Sequence, residues 1–212
     1  MIVLCSNGLT SKEICEAIEP KFKALHSAAL VVTADCEYKK ENYHVSRCVT
    51  ELQRFGLTVS LIDINDVDCP NLLAYDVVEF IGGNPYYLLH SIKEHHLEPI
   101  LEKLAQERIL VGWSAAAFVF GPTLALADRY TPQMNTVGIR DMSALRLTDV
   151  QVLPHYSKYL KRFERFEEIC TEYEGENNVY VVRLNDGDAV IIDDDHACSI
   201  IRASQGKLNE CI

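Results

Sequence analysis

The sequence lacks any apolar run approaching the roughly 20 residues that a membrane-spanning helix needs. It is also short of basic residues, with 20 Lys and Arg against 31 Asp and Glu and a formal net charge of -11. This deficit of positive charge argues against nucleic acid or an anionic membrane as a partner. No signal-peptide pattern begins the chain, so we expect a cytoplasmic protein.

No CxxC pair occurs among the eight cysteines, which lie scattered at positions 5, 15, 36, 48, 69, 170, 198 and 211. Without an export signal we expect reduced thiols rather than a disulfide framework. This spacing also gives little support to a zinc site. The sequence therefore predicts neither a metal nor another cofactor.

What the chain does contain is an alternation of apolar strands and amphipathic helices. Strands are expected at 2–5, 28–34, 58–62, 77–81 and 109–111, and helices at about 10–19, 38–55, after Pro85 and from Leu97. Short connections between them imply right-handed crossovers, a mostly parallel sheet and helices on both faces, in three layers. The 212 residues suit one domain, which we take to span 1–212.

The C-terminal third departs from this alternation. We expect a strand at 149–153 and a charged amphipathic helix at 158–170. Residues 179–184 and 189–192 flank Asn185-Asp186-Gly187-Asp188, a turn signal that predicts a hairpin, and 197–202 follows as a further strand. An antiparallel ribbon is therefore expected beside the parallel sheet.

One stretch, residues 110–117, has the composition of a tight strand-to-helix corner. We place the turn at Gly112, with Ala115 and Ala116 as the small neighbours that it needs. A serine on such a corner, here Ser114, exposes its hydroxyl, and the following N–H groups favour negative charge. A plain helix N-cap is the alternative interpretation.

A second turn, Gly82-Gly83-Asn84-Pro85, follows the strand at 77–81. Its glycines allow backbone N–H groups to face a ligand, and Asn84 can cap the next helix. Ligands of parallel sheets bind beyond the carboxyl ends of the strands. We therefore expect this turn and Ser114 to share one crevice.

A serine nucleophile needs a base, and histidine is the usual one. Among the seven histidines, His155 follows Pro154 at a predicted strand end, as Ser114 does, although a loop histidine without a role is the alternative. An acidic group should orient the imidazole. Asp186 and Asp128 are both candidates for it.

Four segments in order and spacing resemble the aspartyl dipeptidases of the peptidase E family, to which the cyanophycinases are related. They are Phe80-Ile81-Gly82-Gly83-Asn84, Val111-Gly112-Trp113-Ser114-Ala115-Ala116, Gly121-Pro122-Thr123 and Val152-Leu153-Pro154-His155. The resemblance implies a fold similar to class I glutamine amidotransferases. It also implies a serine exopeptidase that cleaves short peptides, with dipeptides carrying an N-terminal Asp as expected substrates.

The resemblance also implies a role for individual residues. It gives Ser114 as nucleophile, His155 as base, Asp186 as acidic third member, Gly83 and Ala115 as oxyanion donors, and Asn84 and Arg162 as substrate-binding residues. The chain departs from the family at Ala116, where glycine is usual, and at Arg129, beside Asp128, where an acid is expected. The segment between His155 and Arg162 is also shorter.

Three hypotheses stay open at this point. The first is a serine peptidase, the second a catalytically silent homologue that binds a peptide or small molecule, and the third a cyanophycinase-like hydrolase of β-linked aspartyl substrates. A cysteine-dependent amidotransferase is disfavoured because the corner residue is serine. The sequence does not indicate an oligomeric state.

Overall fold

The computed structural model describes residues 1–67 and 71–204. Its strands are β1 Ile2–Cys5, β2 Ser27–Val31, β3 Thr58–Ile62, β4 Val77–Phe80, β5 Ile109–Trp113, β6 Gln151–Leu153, β7 Val181–Arg183, β8 Ala189–Ile192 and β9 Cys198–Ile201. Its helices are α1 Lys12–Phe22, α2 Val45–Gln53, α3 Pro85–Glu94, α4 Glu98–Glu107, α5 Ala115–Phe120, α6 Ala125–Tyr130, α7 Tyr156–Arg162 and α8 Phe166–Asn177. Short 3-10 turns occupy Lys39–Glu41, Leu72–Ala74 and Pro132–Met134.

Seven strands form the main sheet in the order β3-β2-β4-β5-β1-β8-β9. The first five run parallel, while β8 pairs antiparallel with β1 and β9 with β8. Every residue of β1, β4 and β5 is buried. Because successive side chains of a strand point to opposite faces, the centre of this sheet is covered on both sides. The predicted mostly parallel α/β architecture with an antiparallel edge is confirmed.

The close packing of α5 on β5 depends on Gly112. A Cβ atom at this position would lie 2.5 Å from the ring of Phe120, which is well inside contact distance. Phe120 in turn packs edge-on against Phe80 of β4, with ring centroids 5.3 Å apart. Gly112 therefore allows the helix after β5 to fold back directly onto the sheet.

The predicted hairpin of 179–184 and 189–192 is wrong, although both strands exist. In the structure β7 pairs in parallel with β6 in a separate two-stranded sheet, while β8 lies beside β1. The turn at 185–188 does form, but Gly187 has a φ of +90°, and the backbone oxygen of Asp188 accepts a hydrogen bond from Ser6 N–H at 3.0 Å. The turn therefore directs the chain to β1 instead of back along β7.

Two predicted helices also differ from the structure. The segment 158–170 forms the end of α7 and the start of α8, separated at Arg165, whose φ of 53° is left-handed. This break brings both Phe163 and Phe166 onto Tyr130, with ring centroids 5.3 and 5.0 Å away. The helix expected at 38–55 begins only at Val45, because the N–H groups that follow Asp35 bond to its carboxylate and hold a loop.

No helix of the described residues is long and apolar enough to cross a membrane. Six of the eight cysteines lie in the described parts of the chain, and each of these is a free thiol. Cys69 and Cys211 lie outside the described residues. The assignment of 1–212 to one domain stays a prediction.

Candidate active site

Ser114 occupies the turn between β5 and α5. Its backbone has φ 53° and ψ −111°, an uncommon conformation for a residue with a side chain. Such conformations cost on the order of 1–3 kcal/mol and cluster at active sites. Its hydroxyl makes no capping hydrogen bond, so the structure gives no support to the N-cap interpretation. The sharp turn that we expected at Gly112 therefore falls on the serine itself, since β5 continues through Trp113.

The two-glycine turn after β4 lies against this corner, as predicted. A Cβ atom added to Gly82 would be 2.9 Å from Cβ of Ser114 and 2.5 Å from the Trp113 ring. Gly83 has a φ of +151°, and a Cβ atom there would lie 2.3 Å from the backbone oxygen of Ala34. Both positions therefore require glycine, one to make room for the serine corner and the other to rest on the loop after β2.

Two backbone N–H groups remain available near Ser114. Ala115 is the first residue of α5, so its N–H has no acceptor within the helix. Gly83 is exposed, and its N–H has no backbone acceptor among the residues that the structure describes. Donors of this kind can stabilise an oxyanion.

His155 follows β6 with a left-handed backbone, φ 57° and ψ 25°. Its ring Nδ1 lies 2.6 Å from Oδ1 of Asp186 in the 185–188 turn. The other carboxylate oxygen, Oδ2, lies 2.5 Å from Nζ of Lys158. Burial alone would raise the pKa of Asp186, but hydrogen bonds from His155 and Lys158 and their positive charge lower it well below its ordinary value. Asp186 is therefore held as a carboxylate.

Asp128, the other acidic candidate, lies elsewhere. Its Oδ1 accepts a hydrogen bond from the Tyr86 hydroxyl at 3.1 Å. Burial, and then the charge and hydrogen bond of Asp128, raise the pKa of Tyr86 above its ordinary value. Of the two aspartates that the sequence left open, Asp186 is the one that contacts His155.

The end of β1 connects Ser114 to His155. The backbone oxygen of Cys5 accepts a hydrogen bond from Ser114 N–H at 3.1 Å, and the next residue, Ser6, accepts one at its Oγ from His155 N–H at 2.9 Å. The serine and the histidine thus adjoin consecutive residues of one strand end. His44 lies nearby and packs edge-on against the Trp113 ring, with centroids 5.3 Å apart.

The basic side chains at this end of the sheet affect the pKa of His44. Burial, followed by the positive charges of Arg47, His155 and Lys158, lowers the pKa of His44. The sequence reasoning missed His44 and Lys158. A signal existed for Lys158, which lies three residues after His155 and so on the same side of a helix. None existed for His44.

The two residues expected to bind substrate differ in their environment. The Asn84 amide caps α3 by accepting from Tyr86 and Tyr87 N–H at 3.0 and 3.1 Å, and it donates to the Met134 backbone oxygen at 2.7 Å. Most of its hydrogen-bonding capacity is thus used within the protein. Arg162 ends α7, is exposed, and makes no ion pair within the described parts of the chain.

The two positions that depart from the family pattern differ in burial, since Ala116 is buried and Arg129 is exposed. Ala116 is completely buried in α5. Arg129 forms an ion pair with Glu176 of α8 and lies over the ring of Tyr173, 5.2 Å from its centroid. Arg129 therefore joins α6 to α8.

Among the described residues, one group of side chains has the composition of a metal site. Ligand atoms of Cys48, Glu51 and Glu79 all lie within 4.8 Å of one another, and all three residues are buried. The oxygens of Glu51 are already engaged by Arg47 at 2.7 Å and Leu9 N–H at 3.1 Å. Both oxygens of Glu51 therefore already have partners within the protein. Burial, then the charge of Glu51, raises the pKa of Glu79 well above its ordinary value.

Comparison with known proteins finds a family match along most of the chain. The family model described as Peptidase family S51 matches residues 1–200. An uncharacterized peptidase of Listeria monocytogenes is 28% identical over 145 residues, which cover 66% of this chain and 70% of that protein. A protein named Peptidase E from Shewanella sp. is 32% identical over 120 residues, or 56% of this chain and 49% of its own length. The matched part thus spans about half of that relative.

Solved structures show the same fold. A protein of Listeria monocytogenes EGD-e that was provisionally assigned as peptidase E superposes with a TM-score of 0.71 at 22% identity, over 96% of this chain and 98% of its own. A peptidase from an acI-B1 Actinobacterium superposes with a TM-score of 0.60 at 14% identity, over 89% of this chain and 81% of its own. At these sequence identities the structural likeness shows the fold alone.

Proposed function

This chain belongs to peptidase family S51 and is thereby a serine-type peptidase, and we propose that it hydrolyses short peptides through Ser114, His155 and Asp186. The observation that carries this proposal is the strained corner at Ser114, which adjoins two available N–H groups and shares a strand end with a His155–Asp186 pair. A serine nucleophile is activated by an adjacent base that a third group orients.

The ionised Asp186 determines which nitrogen of His155 acts as the base. A carboxylate only accepts hydrogen bonds, so Nδ1 carries the proton that bonds to Asp186 and Nε2 is left as a proton acceptor. Nε2 takes the proton of Ser114 as the serine oxygen attacks the scissile carbonyl. His155 then passes this proton to the leaving amine, and water releases the acyl-enzyme.

The oxyanion formed by this attack is stabilised by N–H groups of Gly83 and Ala115. Gly83 follows Gly82, which lies against Ser114, and it is exposed, so a substrate oxygen can approach its backbone. Each such donor typically contributes about 3 kcal/mol to stabilisation of the transition state. The two donors come from the ends of neighbouring strands, β4 and β5, so their separation is fixed by the sheet.

The preferred substrate in this proposal is a dipeptide with an N-terminal Asp. Two basic side chains lie on α7, the helix that begins directly after His155. Lys158 contacts Asp186, and Arg162 is exposed. The ring centroids of Tyr159 and His155 lie 5.8 Å apart. Burial raises the pKa of Tyr159, and the positive charge of Arg162 opposes this rise, so Arg162 lies close to the same ring. In an otherwise acidic protein, this distribution favours an acidic substrate.

The test compares two serines that both precede a helix. Ser11 is a true N-cap of α1, because its Oγ accepts from Ile14 N–H at 3.2 Å, whereas Ser114 makes no such bond. We expect Ser114→Ala to abolish Asp-X hydrolysis and fluorophosphonate labelling without loss of stability. Ser11→Ala should keep full turnover and lower the free energy of unfolding by about 1 kcal/mol.

Other outcomes would change the assignment. Retained turnover in Ser114→Ala removes Ser114 from the mechanism, and absence of labelling in the folded wild-type protein supports a catalytically silent homologue. A panel of Asp-X, β-Asp-X and neutral dipeptides distinguishes the substrate class. Preference for β-linked substrates would replace the dipeptidase assignment by a cyanophycinase-like one.

A further inference from the structure

Ser6 lies between His155, which we assign as the base, and Asp186, the carboxylate that orients it. It follows β1 directly and is completely buried. Its Oγ donates a hydrogen bond to Oδ1 of Asp186 at 3.0 Å and accepts one from the backbone N–H of His155 at 2.9 Å. A hydroxyl has one proton to donate, and here that proton goes to the carboxylate.

We propose that Ser6 is a positioning residue for the hydrolytic reaction, because its hydroxyl holds the His155 backbone and the Asp186 carboxylate at a fixed separation. This inference rests on the proposed function of Ser114, His155 and Asp186. Ser6 contacts neither substrate nor the reacting atoms in this proposal. It acts through His155 and Asp186.

The three residues form a closed ring of contacts. Asp186 Oδ1 contacts both the imidazole Nδ1 of His155 and the hydroxyl of Ser6, and that hydroxyl in turn contacts the backbone of His155. Rotation of the carboxylate would therefore break two hydrogen bonds together. The ring also supports the left-handed backbone of His155, since the N–H of that residue has Ser6 as its acceptor.

Ser6 can serve as a reference point because its own backbone is fixed. Its N–H donates to the Asp188 backbone oxygen at 3.0 Å, and the following residue, Asn7, accepts from Gly187 N–H at 2.8 Å through its side chain. Residues 6 and 7 thus hold the whole turn that carries Asp186. The preceding residue, Cys5, bonds to Ser114 N–H, so one short segment sets the serine, the histidine and the aspartate relative to one another.

Loss of the Ser6 hydroxyl should disturb the alignment of His155 with Asp186 more than it weakens substrate binding. In Ser6→Ala, the His155 N–H and one oxygen of Asp186 each lose a partner in a buried place. Hydrogen bonds to charged groups are among the stronger ones in proteins, so we expect kcat to fall about 10- to 100-fold. The KM should stay within about threefold, because no group that we assign to substrate binding is altered.

The chain offers a closely matched control in Ser27. Its Oγ donates to Oδ2 of Asp76 at 2.9 Å and accepts from Asp76 N–H at 3.2 Å, at the opposite end of the sheet. Ser27→Ala removes the same kind of contacts without touching His155. We expect its kcat and its rate of fluorophosphonate labelling to match those of the wild-type protein.

The experiment measures kcat, KM and the labelling rate for the wild-type protein, Ser6→Ala, Ser27→Ala and Ser114→Ala, with circular dichroism to confirm folding. A selective fall of kcat and labelling in Ser6→Ala supports the inference. An unchanged kcat in Ser6→Ala, or an equal fall in Ser27→Ala, overturns it. Failure of the proposed function is recognised separately, since Ser114→Ala would then remain active.

A second variant decides the matter if Ser6→Ala does not fold. Ser6→Cys keeps a side chain of similar size but forms only weak hydrogen bonds. A folded Ser6→Cys protein with kcat reduced at least tenfold supports the positioning role. The same variant with wild-type kcat contradicts it.

Discussion

The two ends of the parallel sheet carry nearly the same serine–aspartate pair, yet they differ in what surrounds it. At the carboxyl end Ser6 donates to Asp186 at 3.0 Å, and at the amino end Ser27 donates to Asp76 at 2.9 Å. Both hydroxyls also accept a backbone N–H. A buried or half-buried serine bonded to a carboxylate is therefore not enough to mark a catalytic site.

What distinguishes the carboxyl end is an unused backbone donor close to a histidine–aspartate pair. Ser114, His155 and Gly83 all have positive φ, and the Gly83 N–H has no backbone acceptor in the described residues. At the amino end, Asp76 instead accepts the N–H groups of His26 and Ser27, so its oxygens serve the start of β2.

Cavity size is an equally poor guide. A cavity of about 690 Å³ opens at the amino end, lined in part by Met1, Ile192 and Asp194. One pair of charged groups there is already joined, since the amino group of Met1 lies 2.9 Å from Oδ1 of Asp194. An open N–H group and a histidine bonded to a carboxylate therefore separate the two ends better than cavity volume does.

The largest contrast is expected between the two histidines next to these pairs. We expect His155→Ala to lower kcat by on the order of 10³-fold or more, because the serine loses its base. His26→Ala, at the amino end, should leave kcat unchanged. Steady-state kinetics on an Asp-X dipeptide checks both, and a fall of less than tenfold in His155→Ala would mean that another group is the base.

A smaller contrast is expected between the aspartates. Asp186→Asn replaces the acceptor of the His155 Nδ1 proton, so we expect kcat to fall on the order of 10²-fold or more. Asp76→Asn should not change kcat. Equal kinetic effects in the two variants would remove the distinction that we draw between the ends of the sheet.

The next effect concerns the pH at which the Asp186 carboxylate takes up a proton. Lys158 helps to lower the pKa of Asp186, so Lys158→Met should raise that pKa towards its ordinary value. Since only the ionised carboxylate accepts the Nδ1 proton of His155, the pH below which that contact is lost should move up, as an NMR titration of the Asp186 carboxyl would measure. Because Lys158 is largely exposed, the rate near neutrality should change by less than about threefold. An Asp186 pKa that is unchanged in Lys158→Met would show that Lys158 does not stabilise the carboxylate.

The smallest effect on activity, and the clearest one on stability, is expected at Asp76. The hydrogen bond from His26 N–H is the largest cause that lowers the pKa of Asp76. Burial opposes this effect, and the hydrogen bonds from Ser27 lower the pKa further. A lowered pKa in the folded state contributes stability above the unfolded-state pKa, and this contribution is lost as the pH falls through the folded-state value. Asp76→Asn should therefore lose about 1 kcal/mol of unfolding free energy near pH 7 and little in acid, as urea unfolding would measure.

The sequence predicts the carboxyl-end site well because apolar runs reveal where parallel strands end. The ends of β4, β5 and β6 could be located in this way, and with them Gly83, Ser114 and His155. The same rule applied to β1 would have identified Ser6. The sequence could not choose between Asp186 and Asp128, because the partner of an imidazole depends on how distant segments pack.

The error over β7 has a related physical cause. A turn signal between two alternating segments is a local property, whereas the partner of a strand is decided by the edges that remain free. Here β8 found a place beside β1, and β7 paired with β6. The break at Arg165 was likewise hidden, because it depends on two phenylalanines packing on the distant Tyr130.

The contact between Gly83 and Ala34 has a consequence for anyone who wishes to redesign this enzyme. Gly83, whose amide we propose as an oxyanion donor, rests on a loop braced by Asp35. The Asp35 carboxylate accepts hydrogen bonds from the Asn42 side chain and from the N–H groups of Glu37 and Tyr38. Sequence changes in that loop would adjust turnover from outside the reacting groups. A library meant to alter selectivity alone should therefore hold residues 34–42 constant and diversify the exposed face of α7 instead.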